Sequence, residues 1–149
     1  GRRLAVHLEH SDKSISSHER LFPRTGQVLF CDYKGRTEPE MVKRRPVILI
    51  SRYRRFDPGT CTIVPLSKTA PRHIETHHYK MPEGILPAEM DNGDSWVKCD
   101  MIDTVCYQRL NLVRTKWVNG QWQYFTAVLP SEVMAGIQDC VRHALYLHN

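Results

Sequence analysis

The hydrophobic positions of this chain fall into short runs separated by turn-rich polar segments, a pattern typical of β structure. The clearest run is residues 47–50, which is mostly β-branched and too short for a helix. Pro46 suits the first position of such a strand, where its missing N–H costs least. A charged segment at 34–45 comes directly before it. The sequence therefore predicts a charged loop attached to a rigid, buried strand, which is how side chains are aimed at a substrate.

Four further strands are predicted, at residues 27–33, 61–67, 73–81 and 95–100. Pro65 within the third strand of the chain predicts an edge position or a bulge. A turn is expected at 22–26, and Asp57-Pro58-Gly59 is a strong turn signal that closes a basic loop. Residues 101–109 are expected to form a short helical turn or a loop.

The C-terminal part predicts a hairpin followed by a helix. Two aromatic, apolar runs at 111–118 and 121–128 flank Asn119-Gly120, the strongest short hairpin signal. Ser131 is expected to cap a helix with a stripe of small and apolar residues on one face, at positions 133, 137, 141 and 144. The sequence thus predicts a mainly β (α+β) protein, a small barrel or compact sheet with a C-terminal helix.

Length and composition fit one folded domain and a short extension. The 149 residues are 41% hydrophobic, enough for one core. We assign residues 1–22, which are polar, to an N-terminal extension and 23–149 to the domain. The net charge of +5 fits an anionic partner such as nucleic acid, although an ordinary charged surface would also explain it.

Cysteine content and hydropathy indicate a cytoplasmic protein. The five cysteines are odd in number and include no CxxC pair, so we expect reduced thiols instead of a disulfide framework. No apolar run approaches the length of a membrane span, and the first residues have no apolar signal region. We therefore expect no membrane partner.

Three segments carry candidate chemistry. In the charged loop, Glu40 can take a proton and Arg45 can hold a phosphate at two points, with Lys43 and Arg44 beside them. The second segment places Lys98 and Asp100 on one strand face. The third places Ser67, Lys68 and Thr69 at a strand end, where hydroxyls can bind phosphate or a base. Each segment also has a structural explanation: a solvated loop for the first, a cross-strand ion pair for the second and a simple turn for the third.

Three histidines form the fourth candidate. On a strand, His73 and His77 would share a face and His78 would point to the other. Zinc needs three or four convergent ligands, for which Cys99 is an outside candidate. We expect surface imidazoles near an RNA path instead, and no metal or other cofactor.

Taken together, the motifs resemble the PemK/MazF family of toxin–antitoxin ribonucleases, in particular its YifN-like PemK branch. Gly26-Gln27 opens the first strand, and Glu40 precedes Arg45-Pro46 at a spacing of five. The other matching stretches are Val64-Pro65-Leu66-Ser67, then Val97-Lys98-Cys99-Asp100 continuing to Thr104-Val105, and Arg109-Leu110. Met41 stands where the MazF branch usually has Gln, which leaves the cut sequence open.

The resemblance implies an SH3-like β-barrel with appended helices, usually a homodimer. It implies metal-independent cleavage of single-stranded RNA, often mRNA, to a 2′,3′-cyclic phosphate and a 5′-hydroxyl, and inhibition by a cognate antitoxin. The implied catalytic residues are Glu40, Arg45, Ser67, Lys98 and Asp100, with either Glu40 or Asp100 as the base. We further expect RNA contacts from Lys43, Arg44, Lys68, Thr69 and His73.

The rival hypothesis is a non-catalytic RNA- or protein-binding module on the same barrel, for example a gyrase poison. A pure binding module has no need of carboxylates in a basic groove, where they repel phosphate. A gyrase poison would need determinants near the C-terminus, and His148-Asn149 shows no clear sign of them. The set of Glu40, Arg45 and Asp100 therefore favours an enzyme.

Overall fold

A computed structural model describes residues 24–52 and 59–147, which form eight strands and one α-helix. The N-terminal extension assigned to 1–22 and the turn signal at Asp57-Pro58 lie outside the described residues. A single 3-10 turn, Tyr107–Arg109, joins β6 to β7. The elements are β1 (Val28–Cys31), β2 (Arg45–Leu49), β3 (Thr60–Ser67), β4 (His78–Lys80), β5 (Trp96–Lys98), β6 (Asp103–Cys106), β7 (Leu110–Val118), β8 (Gln121–Phe125) and α1 (Ser131–Ala144).

The strands form one antiparallel sheet in the order β4-β5-β3-β2-β1-β7-β8, with β6 pairing on β3. The predicted mainly β fold with a C-terminal helix is confirmed. Over residues 24–52 and 59–147 the sheet stays open, because β4 and β8 end the order and do not pair with each other. No helix in this part of the chain is long and apolar enough to cross a membrane.

Of the two alternatives predicted for Pro65, an edge or a bulge, the edge is wrong, because β3 is an inner strand. β2 pairs along one side of β3, with Val47 opposite Pro65. On the other side, β6 pairs with β3 as far as Ile63 and β5 pairs with it from Leu66. Pro65 therefore lies where the neighbour of β3 changes, so its missing N–H is accommodated at a break between two ladders.

Two other predictions need correction. The fourth strand begins only at His78, because residues 73–77 form bends and a turn closed by His78 N and Glu75 O at 3.0 Å. Residues 103–106, expected to be a helical turn or loop, form β6. That strand exists through its pairing with β3, for example Val105 with Cys61, a contact between distant parts of the chain that no local pattern signals.

The central strand β2 is buried on both faces of the sheet, which explains the unbroken apolar run at 47–50. Ile48 packs on one face in a cluster that includes Val133 and Ile137 of α1. Val47 and Leu49 pack on the opposite face in a second cluster, with Tyr33 among its members. A strand covered on both faces has no polar alternation.

The β7–β8 hairpin forms as predicted. Asn119 and Gly120 have φ values of 51° and 78°, so both central turn residues are left-handed, as a type I′ turn requires. Its distal part projects from the core: Trp117 and Trp122 are 60% and 40% exposed and meet edge to face with 5.3 Å between ring centroids.

The helix α1 has the predicted stripe but a different first residue. Ser131 is already helical and Pro130 is the N-cap, without a side-chain hydrogen bond. Pro suits the start of a helix because its φ is already close to helical. At its centre the helix lies so close to β4 that a Cβ on Gly136 would meet Tyr79 Cε1 at 2.5 Å.

Gly136→Ala is expected to lower the free energy of unfolding. Overpacking costs about 1–3 kcal/mol, which exceeds the roughly 1 kcal/mol that alanine gains over glycine in a helix. Urea unfolding followed by circular dichroism measures the net change. In a Tyr79→Leu background the ring is absent, and there the same substitution should stabilise the protein. Stabilisation in the wild-type background would contradict this packing.

Candidate active site

The start of the charged loop is fastened by Arg109. Its guanidinium donates to the backbone oxygens of Asp32 and Lys34, each at 2.8 Å, and Asp32 N donates to Arg109 O at 2.8 Å. Further along, Arg36 forms an ion pair with Asp103 Oδ2 at 2.5 Å, and both side chains are only a quarter exposed. The loop is therefore anchored to β6 and to the 3-10 turn before β7, which explains the Arg-Leu motif as a structural feature.

Glu40 closes a turn within this loop. Its backbone N donates to Thr37 O at 2.9 Å, and Thr37 N donates to Glu40 Oε1 at 3.4 Å. The Glu40 side chain is exposed, so its second oxygen stays open to solvent or substrate.

Glu40 and Asp100, the two carboxylates proposed as the base, line the same cavity of about 260 Å³, here called the acidic pocket. Asp100 lies in the turn after β5, which is closed by Met101 N and Lys98 O at 3.0 Å. The strand ends at Lys98, so the expectation that Lys98 and Asp100 share a strand face is wrong. Other residues lining the pocket include Tyr33, Arg36, Met41 and Asp103.

Tyr33 is a site residue that the sequence analysis missed. It lines the acidic pocket, is 1% exposed, and its hydroxyl has no hydrogen-bond partner in the described part of the chain. Burial raises the pKa of the phenol, with Cys31 and Asp103 adding to the rise and Arg36 and Arg45 opposing it. A buried hydroxyl without a partner is unfavourable by about 1–3 kcal/mol, and a ligand oxygen can remove that penalty.

Arg45 and Ser67 line a second cavity of about 290 Å³, here called the Arg45 pocket, together with Lys68 and Thr69. The pairing of Val47 with Pro65, continued by two residues, places Arg45 opposite Ser67. Arg45 Nε is buried and has no hydrogen-bond partner among residues 24–52 and 59–147. A buried guanidinium nitrogen beside hydroxyls is a ready anion site.

Two polar side chains of this pocket, Ser67 and Lys68, already form hydrogen bonds within the protein. Ser67 Oγ accepts a hydrogen bond from Thr69 N at 3.1 Å. Lys68 Nζ donates to Met90 O and, at 3.4 Å, to Gly93 O, which fastens the loop after β4 across the pocket. One wall of the pocket is therefore held in place, and the Lys68 ammonium group is already partly used by these hydrogen bonds.

The remaining predicted residues lie around these pockets. Arg44 stacks its guanidinium over Phe30, 4.0 Å from the ring centroid, and Phe30 lines the Arg45 pocket. Lys43 is exposed on the loop and His73 on a bend. Lys98 pairs with His78 across β4 and β5 and is not among the residues that line either pocket.

The histidines are arranged differently from the prediction. His77 precedes β4, so the rule that neighbouring strand residues point to opposite faces does not apply to it. The ring centroids of His77 and His78 lie 4.2 Å apart. His77 Nε2 lies 3.6 Å from Asp100 Oδ2. Burial first, and then His77, lowers the pKa of His78. Cys99, the outside ligand candidate, is fully buried and its Sγ faces Ile137 O at 3.8 Å.

All five cysteines are unpaired, as predicted. Burial raises the pKa of Cys31 to about 11 and those of Cys61 and Cys99 to about 12. These thiols stay protonated near neutral pH and are poor nucleophiles or metal ligands.

The small antiparallel sheet with a C-terminal helix is similar in fold to solved structures of toxins and endoribonucleases. A solved mycobacterial endoribonuclease, in complex with its cognate antitoxin, superposes with a TM-score of 0.58 at 20% identity, over 86% of this chain and 99% of that one. The Mycobacterium tuberculosis toxin MazF-mt6 gives a TM-score of 0.55 at 16% identity, over 83% of this chain and 99% of that one.

A family model for the PemK-like, MazF-like toxins of type II toxin–antitoxin systems matches residues 24–145. The chain belongs to this family. It is also 28% identical to the protein YifN of Escherichia coli strain K12 over 139 residues, which cover 80% of this chain and 89% of YifN. The resemblance inferred from the motifs is confirmed.

Arg109→Gln is expected to loosen the charged loop. Losing two hydrogen bonds from a charged donor should lower the free energy of unfolding by about 1–3 kcal/mol, and the Glu40 amide should exchange its hydrogen faster. Hydrogen–deuterium exchange and urea unfolding measure both effects. The control is Arg142→Gln, which removes an exposed ion pair with Asp139 and should change stability by about 0–1 kcal/mol. Unchanged exchange at Glu40 would refute the anchoring role.

Proposed function

We propose that this chain is an endoribonuclease that cleaves single-stranded RNA, in particular mRNA, at short sequences and without a metal ion. The observation that supports this most is Arg45, whose buried Nε has no hydrogen-bond partner in the described part of the chain and which lines a pocket with three hydroxyl side chains. A phosphodiester would supply the missing acceptor. The acidic pocket supplies the second requirement, a carboxylate able to accept a proton.

The proposed reaction uses the ribose 2′-oxygen as the nucleophile. A carboxylate takes the 2′-OH proton, the 2′-oxygen attacks phosphorus, and the bond to the 5′-oxygen breaks. The 5′-oxygen takes a proton from water, giving a 2′,3′-cyclic phosphate and a 5′-hydroxyl. Asp100 and Glu40 are both candidates for the base, although one oxygen of Glu40 already accepts the Thr37 N–H. Arg45 stabilises the charge that builds on the phosphate; a guanidinium is a poor proton donor near neutral pH.

Tyr33 is a further candidate residue in this proposal. It lines the acidic pocket together with both carboxylates, and its hydroxyl has no hydrogen-bond partner in the described part of the chain. We propose that this hydroxyl donates to a phosphate or ribose oxygen bound there. Tyr33→Phe would keep the packing and remove only this donor, so it should lower cleavage without lowering stability.

RNA binding is assigned to the rim of the pockets. Ser67 and Thr69 are proposed to contact phosphate oxygens. Exposed Lys43 and the Arg44 guanidinium stacked on Phe30 extend the basic surface along the loop. Lys68 contributes positive charge from the wall of the Arg45 pocket. Lys98 and His73 do not line a pocket, so we assign them to the flanks of the RNA path.

A protein partner follows from the same proposal. The mycobacterial relative was solved with its cognate antitoxin. We propose that this toxin likewise binds an antitoxin, that it acts as a homodimer, and that it works in the cytoplasm, where mRNA is found.

The exposed Trp pair on the β7–β8 hairpin favours a second candidate, a non-catalytic binding module. Trp117 and Trp122 offer a large exposed aromatic surface, and neither of them lines a pocket. Exposed aromatic side chains are common at protein interfaces and at RNA-stacking surfaces. A module of this kind would bind its partner unchanged, so the cleavage experiment separates the two functions.

Purified protein is expected to cut a long single-stranded RNA at discrete sites in the presence of EDTA, and to leave the DNA of the same sequence intact. The DNA lacks the 2′-hydroxyl, so it has no nucleophile. Primer extension maps the cuts, and end-group analysis should find cyclic phosphate. Intact RNA that remains bound would favour the binding module, and cleavage of the DNA would refute the mechanism.

Arg45→Ala and Asp100→Asn are each expected to lower cleavage by about 10²- to 10³-fold, the usual effect of removing a charge stabiliser or a general base. Glu40→Gln tests the other carboxylate in the same assay. Arg72→Ala and Asp94→Asn are matched controls, because both side chains are exposed and lie in neither pocket. Wild-type activity in a variant with normal circular dichroism would remove that residue from the mechanism.

A further inference from the structure

His77, His78 and Asp100 form a compact group of possible metal ligands beside the acidic pocket. One ligand atom from each residue lies within 4.8 Å of the other two. Within this group, His77 Nε2 and Asp100 Oδ2 are 3.6 Å apart, close to the separation of two ligands on one tetrahedral zinc ion. Neither predicted partner of the histidines belongs to it, since His73 lies apart and Cys99 faces α1.

Backbone hydrogen bonds hold the three residues together. His78 is the first residue of β4 and pairs with Lys98 of β5. Cys99 N donates to His77 O at 3.2 Å, which places the residue before Asp100 directly across from His77. The group therefore sits where two strands are tied together, so a metal would not have to order these three side chains from a flexible loop.

Two features weigh against a cation, and both are small. Glu75 N donates to His78 Nδ1 at 3.0 Å, so ligation by His78 replaces one neutral hydrogen bond. Lys98 lies opposite His78 and repels a cation, while the Asp100 and Glu75 carboxylates attract it. His77 is half-buried and Asp100 is 46% exposed on its side chain, so a hydrated ion can enter.

We propose that His77, His78 and Asp100 bind one divalent transition-metal ion of the zinc class, and that the bound ion inhibits the ribonuclease. Two imidazole nitrogens and one carboxylate oxygen suit Zn²⁺ and leave its fourth position for water. Inhibition rests on the proposed function, because the metal would occupy the Asp100 carboxylate that is a candidate base. Metal binding itself does not rest on it.

The first experiment measures binding without any RNA. Zn²⁺ is titrated calorimetrically into metal-free, reduced protein, and one ion per chain is expected. His77→Gln and His78→Gln should each weaken binding at least tenfold. His143→Gln is the matched control. His143 Nε2 lies 3.7 Å from Asp139 Oδ2, which is a similar pair without a second histidine. This substitution should leave the affinity for Zn²⁺ unchanged. Equal binding in wild type and both cluster variants would overturn the site.

Co²⁺ distinguishes this group from the cysteines. Co²⁺ bound by nitrogen and oxygen gives weak visible bands, whereas a thiolate adds an intense charge-transfer band in the near ultraviolet. We expect the first spectrum in wild type and its loss in His78→Gln. A thiolate band would overturn the assignment, because the ion would then be bound by a cysteine.

The second experiment tests inhibition. Zn²⁺ should lower RNA cleavage at least tenfold in wild type, and EDTA should restore it. In His78→Gln the ratio of the cleavage rates with and without Zn²⁺ should stay near one, whatever the rate of the metal-free variant. Zinc-bound wild type that cuts RNA at the full rate would overturn the inhibitory role. Absence of cleavage in metal-free protein would refute the proposed function, while the titration alone would still decide the metal site.

Discussion

The backbone pairing of β3 is the constraint on which the rest of this structure depends. This inner strand pairs with β2 along one side, and with β6 and then β5 along the other. The first pairing brings Arg45 opposite Ser67 and so builds the Arg45 pocket. The other two hold the ends of the turn that carries Asp100. Antiparallel pairing determines register to the residue, because a slip by one would move every buried side chain to the other face.

The charged loop shows how exposed polar residues can still be held in place. It packs few apolar side chains, so its order comes from polar contacts: Arg109 on two backbone oxygens, Arg36 on Asp103, and the turn at Glu40. These contacts leave Glu40 exposed in the acidic pocket that Asp100 also lines. The net charge of +5 on the chain favours the anionic substrate that we propose.

In the turn after β5, Asp100 lies next to two different groups of residues. On one side it lines the acidic pocket with Glu40, and on the other it meets His77. The Asp100 carboxylate therefore belongs both to the proposed reaction site and to the proposed metal site. A bound ion that does not contact the RNA can occupy this carboxylate and so prevent it from acting as the base. This coupling needs no conformational change, only competition for one oxygen.

Local signals in the sequence determined much of the fold. The apolar run at 47–50, the Asn119-Gly120 turn and the stripe on α1 each depend on residues close together in the chain, and each is present in the structure. The order of the motifs also identified the family, which the match over residues 24–145 confirms.

The tertiary structure alone decided which residues meet. It formed β6 by pairing with β3, brought Tyr33 into the acidic pocket, ended β5 before Asp100, and brought the rings of His77 and His78 together. The first two arrangements depend on contacts between segments far apart in the chain, and the last two depend on where β5 ends and β4 begins, which the pairing of these two strands decides. Sequence spacing describes only neighbours along the backbone, so it contains no information on such contacts.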